Sequence, residues 1–207
     1  MSLMQVFFSQ TRKPEGFLGK LMLTTMNPGH AKLADWGMEQ LPWMKPERIA
    51  ELGCGGGRNI HALLQKFSHA HVDGIDYAPL SVETAQKRNR TAVAAGKCSV
   101  RVDDVSALSL PNESYDLATA FETVYFWPGL DRCFAQVYRI LKPGGRFLIV
   151  HESDGTDKTG ERFEKIIEGM KVYTAEELVA ALKDAGFQRV DVCRHRKKPW
   201  MALVAKR

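Results

Sequence analysis

The chain has 207 residues, 44% of them apolar, with a formal net charge of +5 and an isoelectric point near 9.0. That length and apolar content suit one domain with a core built around a sheet and exclude a disordered or fibrous chain. The basic residues are spread through the sequence apart from Arg194 to Lys198, so the charge says little about partners. No stretch approaches the ~20 apolar residues of a membrane-spanning helix. Met1 to Phe8 lacks a basic leader followed by an apolar run, and a cytoplasmic location without a membrane partner is expected. The four cysteines, Cys54, Cys98, Cys133 and Cys193, have no paired spacing; reduced thiols are expected, with no metal site and no disulfide framework.

In chain order, Phe7 to Thr25 mixes aromatic, glycine and basic residues, and Gly29 to Leu41 places Leu33, Trp36, Gly37 and Leu41 on one side of a helix. Residues 1–46 are therefore read as an N-terminal cap on a core formed by residues 47–207, the two making one structural domain. From Glu47 short apolar runs alternate with helical periodicity, the mark of repeated strand and helix units in a mainly parallel sheet. Strands are predicted over Arg48 to Leu52, His71 to Ile75, Ser99 to Val102, Tyr115 to Phe121 and Arg146 to His151. Helices are predicted over Asn59 to Phe67, over Pro79 to Ala95 with proline in the first turn and Gly96 at the end, and over Leu130 to Leu141, stopped by Lys142, Pro143, Gly144 and Gly145. A polar helix around Asp157 to Gly169 follows. Thr174 to Ala185 then opens on a capping box, Thr174 with Glu177, and closes at Gly186. Arg189 to Val192 and Trp200 to Ala205 read as strands joined by a basic turn, and so short a link makes them antiparallel. The expected fold is α/β: a doubly wound, mainly parallel sheet of about seven strands with helices on both faces and the last strand antiparallel.

The strongest motif is Glu51, Leu52, Gly53, Cys54, Gly55, Gly56, Gly57, between a strand and a helix. A turn there needs residues without a Cβ so that backbone approaches a ligand closely. The dinucleotide pattern G-x-G-x-x-G requires glycine at position 58, where Arg58 stands, and no G-x-x-x-x-G-K-[ST] phosphate loop is present, so the expected ligand is a nucleoside without pyrophosphate. Asp76, at the end of the second strand about 20 residues on, is placed to accept from both ribose hydroxyls, or else to cap the helix beginning at Pro79. Asp104, past the third strand, can accept from an exocyclic amine while the N–H of Val105 serves a ring nitrogen.

With these residues in order, the chain resembles the class I methyltransferases, particularly their small-molecule branch, whose middle reads like DDVSALSLPNESYD followed after strand four by a helix and RILKPGGRFLIV. The resemblance covers roughly Arg48 to Glu152 and implies a methyltransferase that uses S-adenosylmethionine and releases S-adenosylhomocysteine. It assigns Glu51 and the loop of Gly53, Gly55 and Gly57 to the methionine portion, Asp76 to the ribose, Tyr77 to one face of adenine, Asp104 and Val105 to its edge, and Phe121 to the sulfonium end. Glu51 stands where aspartate is more common and Gly56 where threonine or serine is frequent; the longer Glu51 is expected to act through water.

In such an architecture the acceptor pocket lies above the carboxyl ends of the strands, which points to Glu122, Tyr125 and Trp127 after strand four, and to His151 and Glu152 after strand five. His30, in the cap, and Glu122 are candidates for proton handling, while the aromatic rings either contact substrate or pack in the core. A small-molecule acceptor is expected, with nucleic acid disfavoured because strand four continues as Phe121, Glu122, Thr123, Val124 and lacks the Pro-Pro-aromatic signature of base amino methyltransferases. An RNA or protein methyltransferase and a catalytically silent nucleoside-binding domain are the alternatives.

Overall fold

The computed structural model describes residues 30–207 together with Gly16. The cap residues before position 30 otherwise lie outside the described part. Residues 30–39 form helix α1. Then come β1 (Arg48–Leu52), α2 (Arg58–Lys66), β2 (His71–Asp76), α3 (Pro79–Arg88), α4 (Arg90–Ala94), β3 (Cys98–Val102) and β4 (Tyr115–Phe121). After them follow α5 (Leu130–Ile140), β5 (Leu141–His151), α6 (Lys158–Ile166), α7 (Ala175–Asp184), β6 (Arg189–Arg194) and β7 (Met201–Lys206). The sheet has seven strands in the order β3-β2-β1-β4-β5-β7-β6. β1 pairs in parallel with β2 and β4, β2 with β3, and β4 with β5, whereas β7 runs antiparallel to both β5 and β6. No described helix is long and apolar enough to cross a membrane.

Alternation along the strands divides the core in two. Ile49, Leu117, Leu148 and Val204 face a cluster closed by Leu33 and Met38 of α1, Ile60 and Leu63 of α2 and Val82 of α3. Their neighbours Ala50, Ala118, Ile149 and Leu203 face the other cluster, closed by Phe134 and Val137 of α5 and Leu178 and Leu182 of α7. Successive side chains of a strand point to opposite sides, so each buried strand must be apolar on both faces. Helix α1 packs at the closest range: a Cβ on Gly37 would overlap the side chain of Val150.

Three expected boundaries change. The helix expected over Pro79 to Ala95 is two helices broken at Asn89, whose buried Nδ2 donates to the carbonyls of Gly57 and Ala85, 2.9 and 3.0 Å away. Asn89 thereby ties α3 to the glycine turn. The residues Lys142 to Gly145, expected to separate helix from strand, instead form a bulge inside β5: Leu141 pairs with Tyr115, and the register then jumps so that Arg146 pairs with Leu117. The terminal hairpin is longer than expected, with pairs from Arg189 and Lys206 to Arg194 and Met201. In its basic turn His195 packs on Trp36 and Trp200, and Lys198 sits over the Trp200 ring, 3.9 Å away. The capping box of α7 forms as expected, Thr174 accepting from the Glu177 N–H and Glu177 from the Thr174 N–H.

Inside β2, Asp73 is buried among Arg48 (2.8 Å), Arg101 (3.1 Å), the Tyr115 hydroxyl (2.8 Å) and the Ser99 hydroxyl. Burial alone would raise its pKa, but donation from Ser99, Tyr115 and Arg48 outweighs that and holds it at about 2. A carboxyl whose folded pKa is depressed adds stability above its ordinary pKa and loses it as pH falls toward the folded value. The Asp73 contribution, about 2 kcal/mol, is therefore lost between roughly pH 4 and pH 2. Replacing Asp73 by Asn is expected to lower the unfolding free energy at pH 7 by roughly 2 kcal/mol, since the two arginines that lose their counter-charge remain partly in water. Urea denaturation from pH 7 to pH 2 should show a shallower acid slope for the variant than for the parent.

Candidate active site

A cavity of about 280 Å³ opens above the carboxyl ends of β1 to β4, beneath α1. It straddles the point where the strand order reverses between β1 and β4, the place where open α/β sheets bind ligands.

Its floor is the turn after β1. The amides of Gly53 and Cys54 donate to the carbonyl of Ile75 at 2.8 and 2.9 Å, and the amide of Gly55 donates to Asp76 Oδ2 at 2.8 Å. Gly53 has φ of 79° and Gly55 of 49°, a region that favours glycine. The other oxygen of Asp76 accepts from the amide of Ala78 at 2.9 Å, at the head of α3. Asp76 thus braces the turn and the residue before α3 while lining the cavity; the N-cap of α3 is Ala78, with no side-chain cap bond. Burial raises its pKa against the two amide hydrogen bonds and Ser81.

Beyond it lie Tyr77, then Asp103, Asp104 and Val105 from the turn after β3. Asp104 Oδ1 accepts from the Ser106 amide at 2.8 Å and Asp103 Oδ2 from the Ser109 amide at 2.9 Å. These bonds fix the loop from its own side chains. Asp76, Tyr77, Asp104 and Val105 thus come together in the lining on the β2 and β3 side of the cavity.

The opposite end is lined by Phe121, Glu122, Thr123, Phe126 and Trp127 from β4 and its following loop, and by His30 of α1. Glu122 has φ of 57°, a left-handed backbone uncommon for a residue with a side chain. Its Oε1 accepts from the Glu152 amide at 2.5 Å and from the Tyr125 hydroxyl at 3.1 Å. Burial pushes the Glu122 carboxyl up to about 7, opposed chiefly by the charge of His30. His30 Nε2 lies 3.4 Å from Glu152 Oε2, a contact that raises the imidazole pKa.

Seven of the nine residues expected to hold the cofactor line the cavity: Gly53, Gly55, Asp76, Tyr77, Asp104, Val105 and Phe121. Glu51 and Gly57 do not. Parallel register sets Glu51 beside Thr119 of β4, whose hydroxyl donates to it, and complete burial pushes its carboxyl up to about 8. It lies under the turn, bonded to Thr119, with its Oε1 left without a hydrogen-bond partner among the described residues. Gly57 faces α3, where a Cβ would meet Asn89 and the Ala85 backbone. Of the four acceptor-end residues, His30, Glu122 and Trp127 line the cavity, and Tyr125 is buried behind it with its ring 4.2 Å from that of His151. Without a hydrogen-bond partner among the described residues and fully buried, His151 has its pKa pushed down to about 3 and is neutral; it also stands off the cavity.

Sequence reasoning missed Arg58, Asn59 and Asp103 in the lining. Arg58 was visible only as the residue that breaks the dinucleotide pattern; in the fold it pairs with Asp35 at 2.5 Å and pins α1 above the turn. The thiol of Cys54, also in the lining, is pushed far up by burial and is not a nucleophile.

Comparison with known proteins agrees with this geometry. Residues 49–145 match the family model described as a methyltransferase domain. Over 185 residues the chain is 26% identical to the 27-O-demethylrifamycin SV methyltransferase of Amycolatopsis mediterranei, covering 85% of this chain and 68% of that protein. A chain of the complex between the Haloferax volcanii Trm112 methyltransferase activator and a methyltransferase superposes with a TM-score of 0.79 at 18% identity, covering 100% of this chain and 98% of that one. The Streptomyces coelicolor geranyl diphosphate C-methyltransferase, solved with S-adenosyl-L-homocysteine, superposes with a TM-score of 0.69 at 15% identity, covering 86% and 76%. The fold and site define a Rossmann-like enzyme of the class I methyltransferases. The chain is an S-adenosylmethionine-dependent methyltransferase, and S-adenosylmethionine is its cofactor.

A Cβ at Gly53 would overlap the Thr123 side chain, and the residue holds positive φ. Gly53→Ala is expected to weaken S-adenosylmethionine binding at least tenfold in calorimetric titration and to destabilise the fold by roughly 1–2 kcal/mol.

Proposed function

We propose that this enzyme transfers the methyl group of S-adenosylmethionine to a small-molecule acceptor held between the β4 loop and α1. The observation that carries the reading is the lining of one compact cavity, which brings Asp76, Tyr77, Asp104 and Val105, suited to a nucleoside, together with Phe121, Glu122 and Trp127 and with His30 and Leu33 of α1. The cofactor fits the residues present. Gly53, Gly55 and Gly56 bring backbone without side chains into the lining, Asp76 offers a carboxylate to the ribose hydroxyls, and Asp104 with the Val105 amide offers an acceptor and a donor to the adenine edge. When bound, the cofactor supplies an electrophilic methyl group on a sulfonium. The protein's part is to align the acceptor with that methyl group, exclude water with α1 and hold the charges at the acceptor end; alignment alone is worth up to ~7–11 kcal/mol in well-oriented reactions.

A metabolite suits this site better than a nucleic acid. The acceptor end carries carboxylates, and the basic residues of the β6–β7 turn are partly engaged: Arg194 pairs with Glu176 at 3.4 Å and Lys198 covers Trp200. The similar rifamycin and geranyl diphosphate enzymes carry small molecules in their names, which favours the same class here. Four unbridged cysteines fit a reducing cytoplasm.

Calorimetric titration of the purified protein should show saturable binding of S-adenosylmethionine and S-adenosylhomocysteine and none of NADH. Asp76→Ala is expected to weaken both by at least tenfold, through lost ribose contacts and a loosened Gly55 amide. Release of S-adenosylhomocysteine on incubation with metabolite pools, against none with total RNA, would support the small-molecule reading; release with RNA alone would sink it. Cofactor binding with no transfer to any acceptor would leave a silent binding domain.

A further inference from the structure

Three ionisable side chains from three different elements meet at the acceptor end: His30 of α1, Glu122 after β4 and Glu152 after β5. One nitrogen of the histidine and one oxygen of each carboxylate all lie within 4.8 Å of one another. Glu122 faces the cavity, and its position is fixed four ways, by its left-handed backbone, its N–H bond to the Val150 carbonyl at 3.0 Å, the Glu152 amide and the Tyr125 hydroxyl. Strained backbone persists where surroundings hold it in place, and such positions concentrate at active sites. The arrangement is also graded in exposure. The side chain of Glu152 is 51% exposed and that of His30 35%, so the group leads from the cavity outward.

We propose that Glu122 is the general base of this methyltransferase, that His30, held by Glu152, is the positioning cation that keeps it ionised, and that the acceptor is a hydroxyl compound, an alcohol or phenol. This rests on the small-molecule reading above and names the substrate class of the same site. As the acceptor oxygen forms its bond to the methyl carbon, the sulfur–methyl bond breaks and its electron pair stays on sulfur. The hydroxyl proton passes to the Glu122 carboxylate. From there it leaves to water past His30 and Glu152, the two exposed members. Charge balances at each stage: the sulfonium becomes a neutral thioether and the carboxylate a neutral acid.

The electrostatics agree with that division of roles. Glu122 is pushed up to about 7 by burial, and the groups that face it are His30, which lowers its pKa, Glu152, whose charge raises it, and the donating Tyr125 hydroxyl. His30 is raised first by its bond to Glu152 and then by the charges of Glu122 and Glu152, against burial. Glu152 is lowered chiefly by His30 and also by Lys198, with Asp157 opposing. A base works best when its pKa lies near the working pH. Thioethers and tertiary amines lose no proton on methylation, and amines and thiols can lose theirs to water, so an alcohol or phenol is the acceptor with most use for this apparatus.

The first test does not need the acceptor. In protein labelled with ¹³C at the glutamate carboxyl and the histidine ring, NMR titration should show two raised carboxyls, that of Glu51 near 8 and one near 7 that disappears in Glu122→Gln. In His30→Gln that midpoint should rise by about one unit, because loss of a neighbouring cation favours the neutral acid. In Glu152→Gln the His30 midpoint should fall. A Glu122 midpoint in the ordinary carboxylate range, or one indifferent to His30→Gln, overturns the proposal. Saturable Mn²⁺ binding by the parent that is lost in Glu152→Gln also overturns it, assigning the three residues to a cation instead.

The second test uses a panel of phenols and alcohols against thioethers and tertiary amines of matched size, read as S-adenosylhomocysteine release. The expected result is transfer to hydroxyl acceptors, with an acid limb that follows the NMR midpoint and moves to higher pH in His30→Gln. In Glu122→Gln, kcat should fall at least about 100-fold with S-adenosylmethionine affinity unchanged. Loss of cofactor binding in Glu122→Gln, or transfer to thioethers or tertiary amines that survives it, overturns the assignment. Failure of every small acceptor counts against the reading of the substrate as a metabolite, and the NMR midpoints then decide the base by themselves.

Discussion

Asp76 ties together two of the loops that line the cavity proposed for the cofactor. One carboxylate oxygen accepts from the Gly55 amide and the other from the Ala78 amide, so the turn after β1 and the head of α3 are fixed to the end of a buried strand. Gly53 and Cys54 lean on the Ile75 carbonyl of the same strand. The turn can close this tightly only because glycine occupies its left-handed positions. From that anchor the remaining positions follow. Gly57 ends the turn against α3, Asn89 bridges α3 back to the Gly57 carbonyl, and Arg58 reaches from the start of α2 to Asp35 of α1. The floor of the cavity and the helix above it are thereby built from one continuous set of contacts.

Two buried glutamates show how surroundings set chemistry. Glu51 lies under the turn with Thr119 as its hydrogen-bond donor and no cation nearby among the described residues, and burial raises its pKa to about 8. Its register with Thr119 holds it within the sheet. Glu122 is also raised by burial, to about 7, yet it faces His30 and accepts from a backbone amide. The difference between them is the cap helix. A carboxylate in a low-dielectric site is ionised to the extent that donors and cations compensate its lost hydration, and α1 delivers the cation at the acceptor end. Closure of α1, through Arg58 with Asp35 and the tight packing of Gly37 on Val150, therefore sets the electrostatics of the site as well as its access to water.

The parallel strands, the alternation of apolar residues on both faces, the glycine turn and the capping box of α7 were readable in the chain, because each depends on residues close in sequence and on the period of the backbone. The strand boundaries of β1 and β4 needed no tertiary knowledge, nor did the order of Asp76, Tyr77, Asp104 and Val105 along one rim. Local pattern also misled where a turn signal had two uses. Lys142 to Gly145 read as a break and is a bulge within β5, and the single helix expected from Pro79 is interrupted at Asn89 because that side chain is recruited by a turn more than thirty residues away.

The sequence by itself determined the fold class, the class of cofactor and the side of the sheet on which chemistry takes place, since strand polarity and a glycine turn leave few arrangements. Only the tertiary structure decided which polar residues face the cavity. Glu51 sits inside the strongest motif yet is turned into the sheet by its register with Thr119, while Glu152 and His30, more than a hundred residues apart, meet 3.4 Å from each other beside Glu122. The physical reason is range: backbone periodicity acts over a few residues, whereas the direction of a side chain, its hydration and its charge depend on whichever distant segments pack against it.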